Sequence, residues 1–325
     1  MGEFELIKRY FVRTNPPGAG VVLGVGDDCA LLQPDPGMQL AVSTDMLVEG
    51  RHFLSTVHPR LLGHKALAVN LSDLAAIGAE PLAFTLALAL PGVNEDWLAQ
   101  FAQGLFGLAD TCACPLVGGD TTRGPLNISI TVMGQVPPGL ALRRAGAQPG
   151  DDVYVSGSLG QARLALEALR GSLDLEAAVL RRCRDRLEQP TPRLALGRAL
   201  RGIAHAAADT SDGLVSDLGH VVGASGLAAE LWWPALWGAT SGDVQNLPSD
   251  TARACVLAGG DDYELVFTAP AAMRARVTEA AALAHTPVTR VGRVVPQIPG
   301  RSGVRVLNEQ GREVPGHWEG YDHFG

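Results

Sequence analysis

Residues 24–28 read Gly-Val-Gly-Asp-Asp, at the end of the β-branched run Val21–Val25. Four further stretches share this acidic design: Ser43-Thr44-Asp45, Gly119-Asp120-Thr121-Thr122, Asp209-Thr210-Ser211-Asp212 and Gly259-Gly260-Asp261-Asp262. Each follows, or lies close to, a predicted strand or an apolar segment, and loops at strand ends are where a rigid scaffold carries its working groups. A carboxylate in such a place has to be solvated, paired or metal-bound, because burying it bare is costly. Taken singly, each stretch needs no ligand, since Asp and Gly favour turns. Taken together, with hydroxyls beside most of them and only Arg51, Arg123 and Arg144 as nearby bases, they point to a shared divalent-cation site. Asp73 is a sixth candidate. It sits in the otherwise almost wholly apolar helix KALAVNLSDLAAIG, three residues after Asn70, so both leave the same helix face. Two readings of Asp73 stand: a carboxylate that bonds neighbouring backbone or pairs with Lys65, or one that projects into a metal cluster.

The composition is consistent with that emphasis. Of 325 residues, 26 are basic and 34 acidic, for a formal charge of −8. Asp outnumbers Glu 20 to 14, and Lys8 and Lys65 are the only lysines. An acidic balance of this kind disfavours a nucleic-acid binder, which needs Lys and Arg clusters. Hydrophobic residues make up 46% and charged residues 18%, enough for a sizeable core, and the length suits two domains of ~100–200 residues. No apolar run reaches the roughly 18–20 residues of a membrane span, and MGEFELIKRYF lacks the apolar centre of a signal peptide. The expected location is therefore cytoplasmic, with no membrane partner. Cys29, Cys112, Cys114, Cys183 and Cys255 are odd in number and scattered, as reduced cytosolic thiols would be.

Hydrophobic periodicity predicts a helix over 3–13 and strands at 21–25 and 40–43, the second ending in Ser43-Thr44-Asp45. An Ala/Leu-rich helix follows over 61–77 with Gly78 as its C-cap, then a strand over 83–90. Asn94 caps a helix carrying Trp97, Phe101, Leu105 and Leu108, and strands at 115–118 and 127–136 flank a turn at Gly118–Thr122. Pro and Gly cluster in 137–151, which places a domain boundary there and gives domains 1–140 and 141–325. Beyond it come a strand at 152–156, helices at 159–170, 176–187 and 193–207, and another helix from about Ser211. Strands at 228–231, 263–268, 288–292 and 303–307 complete a mixture that implies two α/β or α+β domains.

Oxygen-rich Mg²⁺ sites usually serve polyphosphates. The common phosphate loops are nevertheless missing: there is no G-x-x-x-x-G-K-[ST], and Gly24-Val-Gly26-Asp27-Asp28-Cys29 begins like a dinucleotide fingerprint but ends in Cys with acids facing the phosphates. H-E-x-x-H, G-x-S-x-G and an EF-hand loop are absent as well.

In its ordered motifs the chain resembles the thiamine-monophosphate kinase family. The motifs are GEFELI and RYF at the start, GVGDDCALL (24–32), STDMLVEGRHF (43–53), HKALAVNLSDLAAIGAEP (64–81), GGDTTRGPL (118–126), RAGAQPGD (144–151), DTSDGLVSDLGH (209–220), GGDDYEL (259–265) and WEGYDHF (318–324). The resemblance implies ATP-dependent phosphorylation of thiamine monophosphate to thiamine diphosphate. It also implies a two-domain, aminoimidazole-ribonucleotide synthetase-like (PurM-like) fold, whose N-terminal α/β domain binds ATP and Mg²⁺ and pairs its sheet across a homodimer and whose C-terminal α+β domain binds substrate. By motif position, Asp28, Ser43, Thr44, Asp45, Asp73, Asp120, Asp209 and Asp212 are the expected Mg²⁺ ligands. Gly119, Asp120, Arg144 and Ser211 are the expected ATP contacts, and His52, Asp261 and Trp318 the expected substrate contacts. The family usually carries Glu where Asp261 stands, so that contact is made here by a shorter side chain.

The implied chemistry needs no protein base. The acceptor is a phosphate monoester with a second pKa near 6, largely dianionic at neutral pH. The obstacle is repulsion between two polyanions, which positioning and charge neutralisation overcome. Related families fit less well. Selenophosphate synthetases place a reactive Cys or selenocysteine before this region, and hydrogenase-maturation relatives end in a functional Cys, whereas this chain ends His323-Phe324-Gly325. A non-catalytic Mg-nucleotide-binding protein would not need both the acidic turns and the C-terminal substrate motifs.

Overall fold

Alternation along Asn127–Val136 sets the first sheet: Ile128, Ile130 and Val132 are buried while Asn127, Ser129 and Thr131 are only half-buried. The computed structural model describes residues 2–13, 20–300, 303–316, 318 and 320. Two units emerge, one comprising the residues up to Leu74 with Ala79–Gly139, the other Ala75–Gly78 with the chain from Leu140 onward.

The first unit runs α1 (Glu3–Tyr10), β1 (Val21–Leu23), β2 (Leu31–Leu32), β3 (Gln39–Val48), α2 (Pro59–Ala76), β4 (Glu80–Leu90), α3 (Glu95–Thr111), β5 (Leu116–Arg123) and β6 (Asn127–Val136). Its main sheet has the order β3-β6-β4-β5, antiparallel except for the β4–β5 pair. The Asn94 side chain caps α3, accepting from the Trp97 N–H at 3.0 Å, and Gly78 ends α2 at φ 70°. Phe84, Leu86 and Leu88 of β4 are buried with Leu67, Leu71 and Leu74 of α2 and Phe101 and Leu105 of α3. The two helices cross closely because Gly63 and Gly104 have no side chain. A Cβ at Gly104 would collide with the Arg60 carbonyl, and one at Gly63 with the Phe101 carbonyl.

Two expectations need correction. Ser43-Thr44-Asp45 does not end a strand but lies inside β3, and Gly118–Thr122 is not a turn but lies inside β5. Both segments are held by neighbouring strands. Ser43–Asp45 pairs with Val132–Ile130, and Gly118–Arg123 pairs in parallel with Thr85–Leu90. The glycines permit the second pairing, since a Cβ on Gly119, at φ 150°, would strike the Leu86 carbonyl.

The second unit runs β7 (Asp152–Ser156), α4 (Gln161–Leu169), α5 (Ala177–Glu188), α6 (Leu194–Ala199), β8 (Ala206–Asp209), α7 (Leu214–Gly223), β9 (Leu227–Trp232), α8 (Trp233–Ala239), α9 (Gly242–Gln245), α10 (Ser249–Ala258), β10 (Leu265–Ala269), α11 (Arg274–Leu283), β11 (Val288–Pro296) and β12 (Val304–Leu307). Its sheet has the order β12-β9-β11-β7-β10-β8. All of β7, β8 and β10 is buried. Val153, Val155 and Val266 face a core shared with Leu164, Leu218 and Val221, while the Tyr154 and Phe267 rings stack at 5.1 Å. The helix expected over 193–207 stops at Ala199. The Ala-rich segment after it carries no helical period and becomes β8, pairing with β10 from Ala206↔Thr268 to Asp209↔Leu265. This pairing sets Asp209 at the C-terminal end of β8, the edge strand of its sheet. Helices α8–α11 lie outside the sequence expectation: α8 is interrupted by Pro and Gly, α9 spans only four residues, and α10 and α11 carry few large apolar residues to set a helical period.

Gly104→Ala should therefore cost ~3 kcal/mol or more through overpacking at the helix crossing. In the same helix, Gly107 is exposed with nothing within 4 Å of an added Cβ, so Gly107→Ala should stabilise by ~0.5–1 kcal/mol. Thermal or urea unfolding of the two variants should move in opposite directions. A common direction would contradict the close crossing.

Candidate active site

In the first unit the GVGDD turn and the glycine-rich part of β5 face one cavity of about 960 Å³, lined by Asp27, Asp28, Gly118, Gly119, Asp120 and Thr121, with Ile7 of α1 and Phe11 just past it on its apolar side. Asp28 and Asp120 are both exposed, and neither makes an ion pair among the described residues. The turn is tied locally by the Asp28 N–H donating to Asp27 Oδ1 at 2.8 Å, with Gly26 at φ 123°. Sites separated by about ninety residues are thus brought to one wall.

The hydroxyls and carboxylate of Ser43-Thr44-Asp45 do not converge, because successive strand residues point to opposite faces. Ser43 and Asp45 are half-buried on the side of α2, where the Ser43 hydroxyl donates to Asp73 Oδ2. Asp73 thus leaves α2 towards β3, and its Ser43 partner is one that neither sequence expectation named. Asn70, on the same helix face, accepts the Asp45 main-chain N–H at 3.0 Å and donates to the Ala66 carbonyl. Thr44 is exposed on the other face, with its hydroxyl 2.8 Å from that of Thr131. His52 lies just past β3. Its Nδ1 accepts from the Val48 N–H at 3.0 Å, which places the proton of the neutral ring on Nε2.

In the second unit, two motifs are zipped together. Asp261 and Tyr263 donate their N–H groups to the carbonyls of Ser211 and Thr210, both at 2.9 Å, and Thr210 donates its own to Glu264 at 2.8 Å. Asp261 and Tyr263 adopt φ of 65° and 49°, a strained conformation for residues with a Cβ. The structure therefore joins Ser211 and Asp261 in one constellation, with buried Asp209 at its base and half-buried Asp212 beside it. Arg144 is exposed on a segment held where Gly146 and Ala147 donate to Ser225 Oγ, both at 3.1 Å. Trp318 is half-buried against the core of this unit, and Gly320 passes so near Asp212 that a Cβ would lie 3.0 Å from its carbonyl oxygen. The remainder of the WEGYDHF motif (Glu319 and 321–324) lies outside the described residues.

Asp217 and Glu264 escaped the sequence reading, and Asp262 entered it only as part of its turn. Asp217 accepts from the N–H groups of Asp212 and Gly213 at 3.2 and 3.1 Å. Burial, then the charge of Asp212, push its carboxyl up to about 7. Asp262 is buried and accepts twice from the Gly160 N–H, and burial raises its pKa well above the carboxylate range. Glu264, fully buried, is bound by Arg186, Arg193 and Ser156. All three fall within the quoted motifs DTSDGLVSDLGH and GGDDYEL, which was the one signal available.

As to a metal, the donor set is all oxygen and mostly carboxylate, which suits a hard divalent cation. Among the described residues, no three His, Cys, Asp or Glu side chains already converge to hold one. No helix among them is long and apolar enough to cross a membrane.

Comparison with known proteins covers nearly the whole chain. The family model for AIR synthase related protein, N-terminal domain, matches residues 26–136. Thiamine-monophosphate kinase of Salmonella typhimurium is 45% identical over 324 residues, 99% of this chain and 98% of that one. Among solved structures, thiamine-monophosphate kinase from Stenotrophomonas maltophilia matches with TM-score 0.82 and 48% identity, over 88% of this chain and 91% of that one. AaThiL complexed with AMPPCP and TMP matches with TM-score 0.76 and 30% identity, over 89% of this chain and 88% of that one. With such identity over nearly its whole length, and with the aminoimidazole-ribonucleotide synthetase-like fold, the chain belongs to the thiamine-monophosphate kinase family.

Proposed function

We propose that this chain transfers the γ-phosphoryl group of ATP to thiamine monophosphate, forming thiamine diphosphate as the last step of its biosynthesis. The observation that carries the reading is the pair of exposed carboxylates, Asp28 and Asp120, facing one cavity without ion-pair partners among the described residues. Family membership supplies the substrates, and AaThiL, a relative at 30% identity, was solved with AMPPCP and TMP.

Asp28, Ser43, Thr44, Asp45, Asp73 and Asp120 of the first unit and Asp209 and Asp212 of the second are the residues that would hold several Mg²⁺ ions. When bound, such ions supply neutralisation of facing phosphates and a template for in-line displacement. The all-oxygen donor set supports this. Thr44 is the least direct member, since its side chain faces away from Ser43 and Asp45. Gly119 and Asp120, with Arg144 and Ser211, are the proposed ATP contacts, and a guanidinium such as that of Arg144 suits phosphate oxygens. His52, Asp261 and Trp318 are the proposed substrate contacts. The ring of Trp318 offers a face for the cationic thiazolium. The acceptor phosphate attacks as its own dianion, so no residue takes a proton and transfer is direct.

The partners are therefore small molecules, with a second copy of this chain as the proposed macromolecular one. On edge strand β3, Leu40, Val42 and Met46 are 52%, 58% and 53% exposed on the face opposite α2, an apolar row that a twofold-related sheet would cover.

Incubation with ATP, Mg²⁺ and thiamine monophosphate should yield thiamine diphosphate, while free thiamine as acceptor should yield none. Asp120→Asn should lower kcat by roughly a hundredfold or more, as loss of a charge-stabilising group does. A trapped phospho-enzyme, or a bell-shaped rate profile set by a protein base, would overturn direct transfer. Trp318→Ala should raise KM for thiamine monophosphate more than KM for ATP. Equal effects would remove the stacking role. In sedimentation at micromolar concentration the wild type should run as a dimer and Val42→Glu as a monomer, and a monomeric wild type would contradict the paired sheets.

A further inference from the structure

Glu264 does more than close the GGDDYEL motif. Its carboxylate is fully buried and saturated: Arg186 donates to Oε1 at 2.6 Å, Arg193 grips both oxygens, and Ser156 donates to Oε2 at 2.6 Å. Two guanidinium groups on one carboxylate leave a formal charge of +1, and both are largely withdrawn from solvent, at 23% and 15% exposure. A buried charge without a counter-charge is costly, so a lone structural ion pair would need only one of the two arginines.

The surplus charge faces a cavity of about 500 Å³ at the end of the second sheet, where β7 leaves and β11 enters. Arg186, Arg193 and Glu264 are its only charged lining residues among the described ones. The rest of its polar wall is hydroxyl and amide, including Ser158, Gln161, Thr240 and Ser241. The Ser241 hydroxyl is buried and finds no hydrogen-bond partner among the described residues. The volume falls in the range of small-molecule sites.

We propose that this cavity is a binding site for a phosphate group carried by a small molecule, outside the residues assigned to phosphoryl transfer. Spare guanidinium N–H groups bind an oxyanion through paired bonds, and the surplus positive charge favours a phosphate group, which carries about −1.5 to −2 at neutral pH, over a singly charged carboxylate. Occupancy would be felt at the acidic turn, because the Glu264 N–H donates to Thr210 Oγ1 at 3.1 Å and its carbonyl accepts the Thr210 N–H. The site is thus placed to bias the loop that carries Ser211 and Asp212.

Calorimetric titration of the full chain with inorganic phosphate, in EDTA and without nucleotide, tests this. The wild type should show one saturable site by about 50 mM phosphate, the range of weak single-ion binding. Arg186→Gln should weaken it roughly tenfold through loss of a charged donor, and Ser241→Trp, which fills the cavity, should abolish it. Asp28→Ala should leave it unchanged, which separates it from the acidic cavity and from the proposed transferase reaction. Absence of a saturable site, equal affinity in Ser241→Trp, loss in Asp28→Ala, or tighter binding of malonate than of phosphate would overturn the assignment. Should Arg186→Gln fail to fold, Ser241→Trp decides alone.

Discussion

A carboxylate withdrawn from water has to be answered by a donor or a cation, and the two units of this chain are organised around how their acids are answered. Asp73 is answered by the Ser43 hydroxyl, Asp262 by the Gly160 N–H and Asp217 by the amides of Asp212 and Gly213. Glu264 takes two arginines. Asp152 is buried as well, yet Arg274 and Arg290 outweigh that burial and hold its carboxyl below the usual range. These acids tie one segment of backbone to another. Asp28 and Asp120 make no such tie, and they stand exposed on a common cavity. The contrast separates acids engaged within the fold from two that have no ion-pair partner among the described residues.

Much of this was legible from residue order. The Asn94 cap, the Gly78 helix end and strand Asn127–Val136 follow from local signals that tertiary structure did not overrule. The segments misread as turns show where such signals stop. Ser43-Thr44-Asp45 and Gly118–Thr122 have turn-like composition, but their conformation is fixed by partners up to about ninety residues away in sequence. The Ala-rich stretch that becomes β8 has good helix formers and no period, so its pairing with β10 decides. For the site, the motifs located the acids but not their directions. That Thr44 faces away from Ser43 and Asp45 follows from strand alternation, which was hidden while the segment was read as a turn. The Arg186–Arg193–Glu264 cluster was invisible for a simpler reason: its members are 71 and 78 residues apart and share no motif.

The edge of the first sheet carries the same logic one step further. An edge strand offers unpaired N–H and C=O groups, and proteins blunt it or use it. On β3 the Asp45 N–H is already taken by Asn70, whose own amide is anchored on the Ala66 carbonyl. The residue that anchors the main chain of Asp45 thus also interrupts the edge, within the second half of the strand. Leu40, Val42 and Met46 meanwhile stand on the open face. Strand addition would meet a blocked position, whereas a second sheet laid on the face would bury the whole apolar row. The sheet pairing proposed for the homodimer is accordingly face to face. It would bring Thr44, the one hydroxyl of its segment on that side, under the partner's cover while leaving Ser43 and Asp45 with α2.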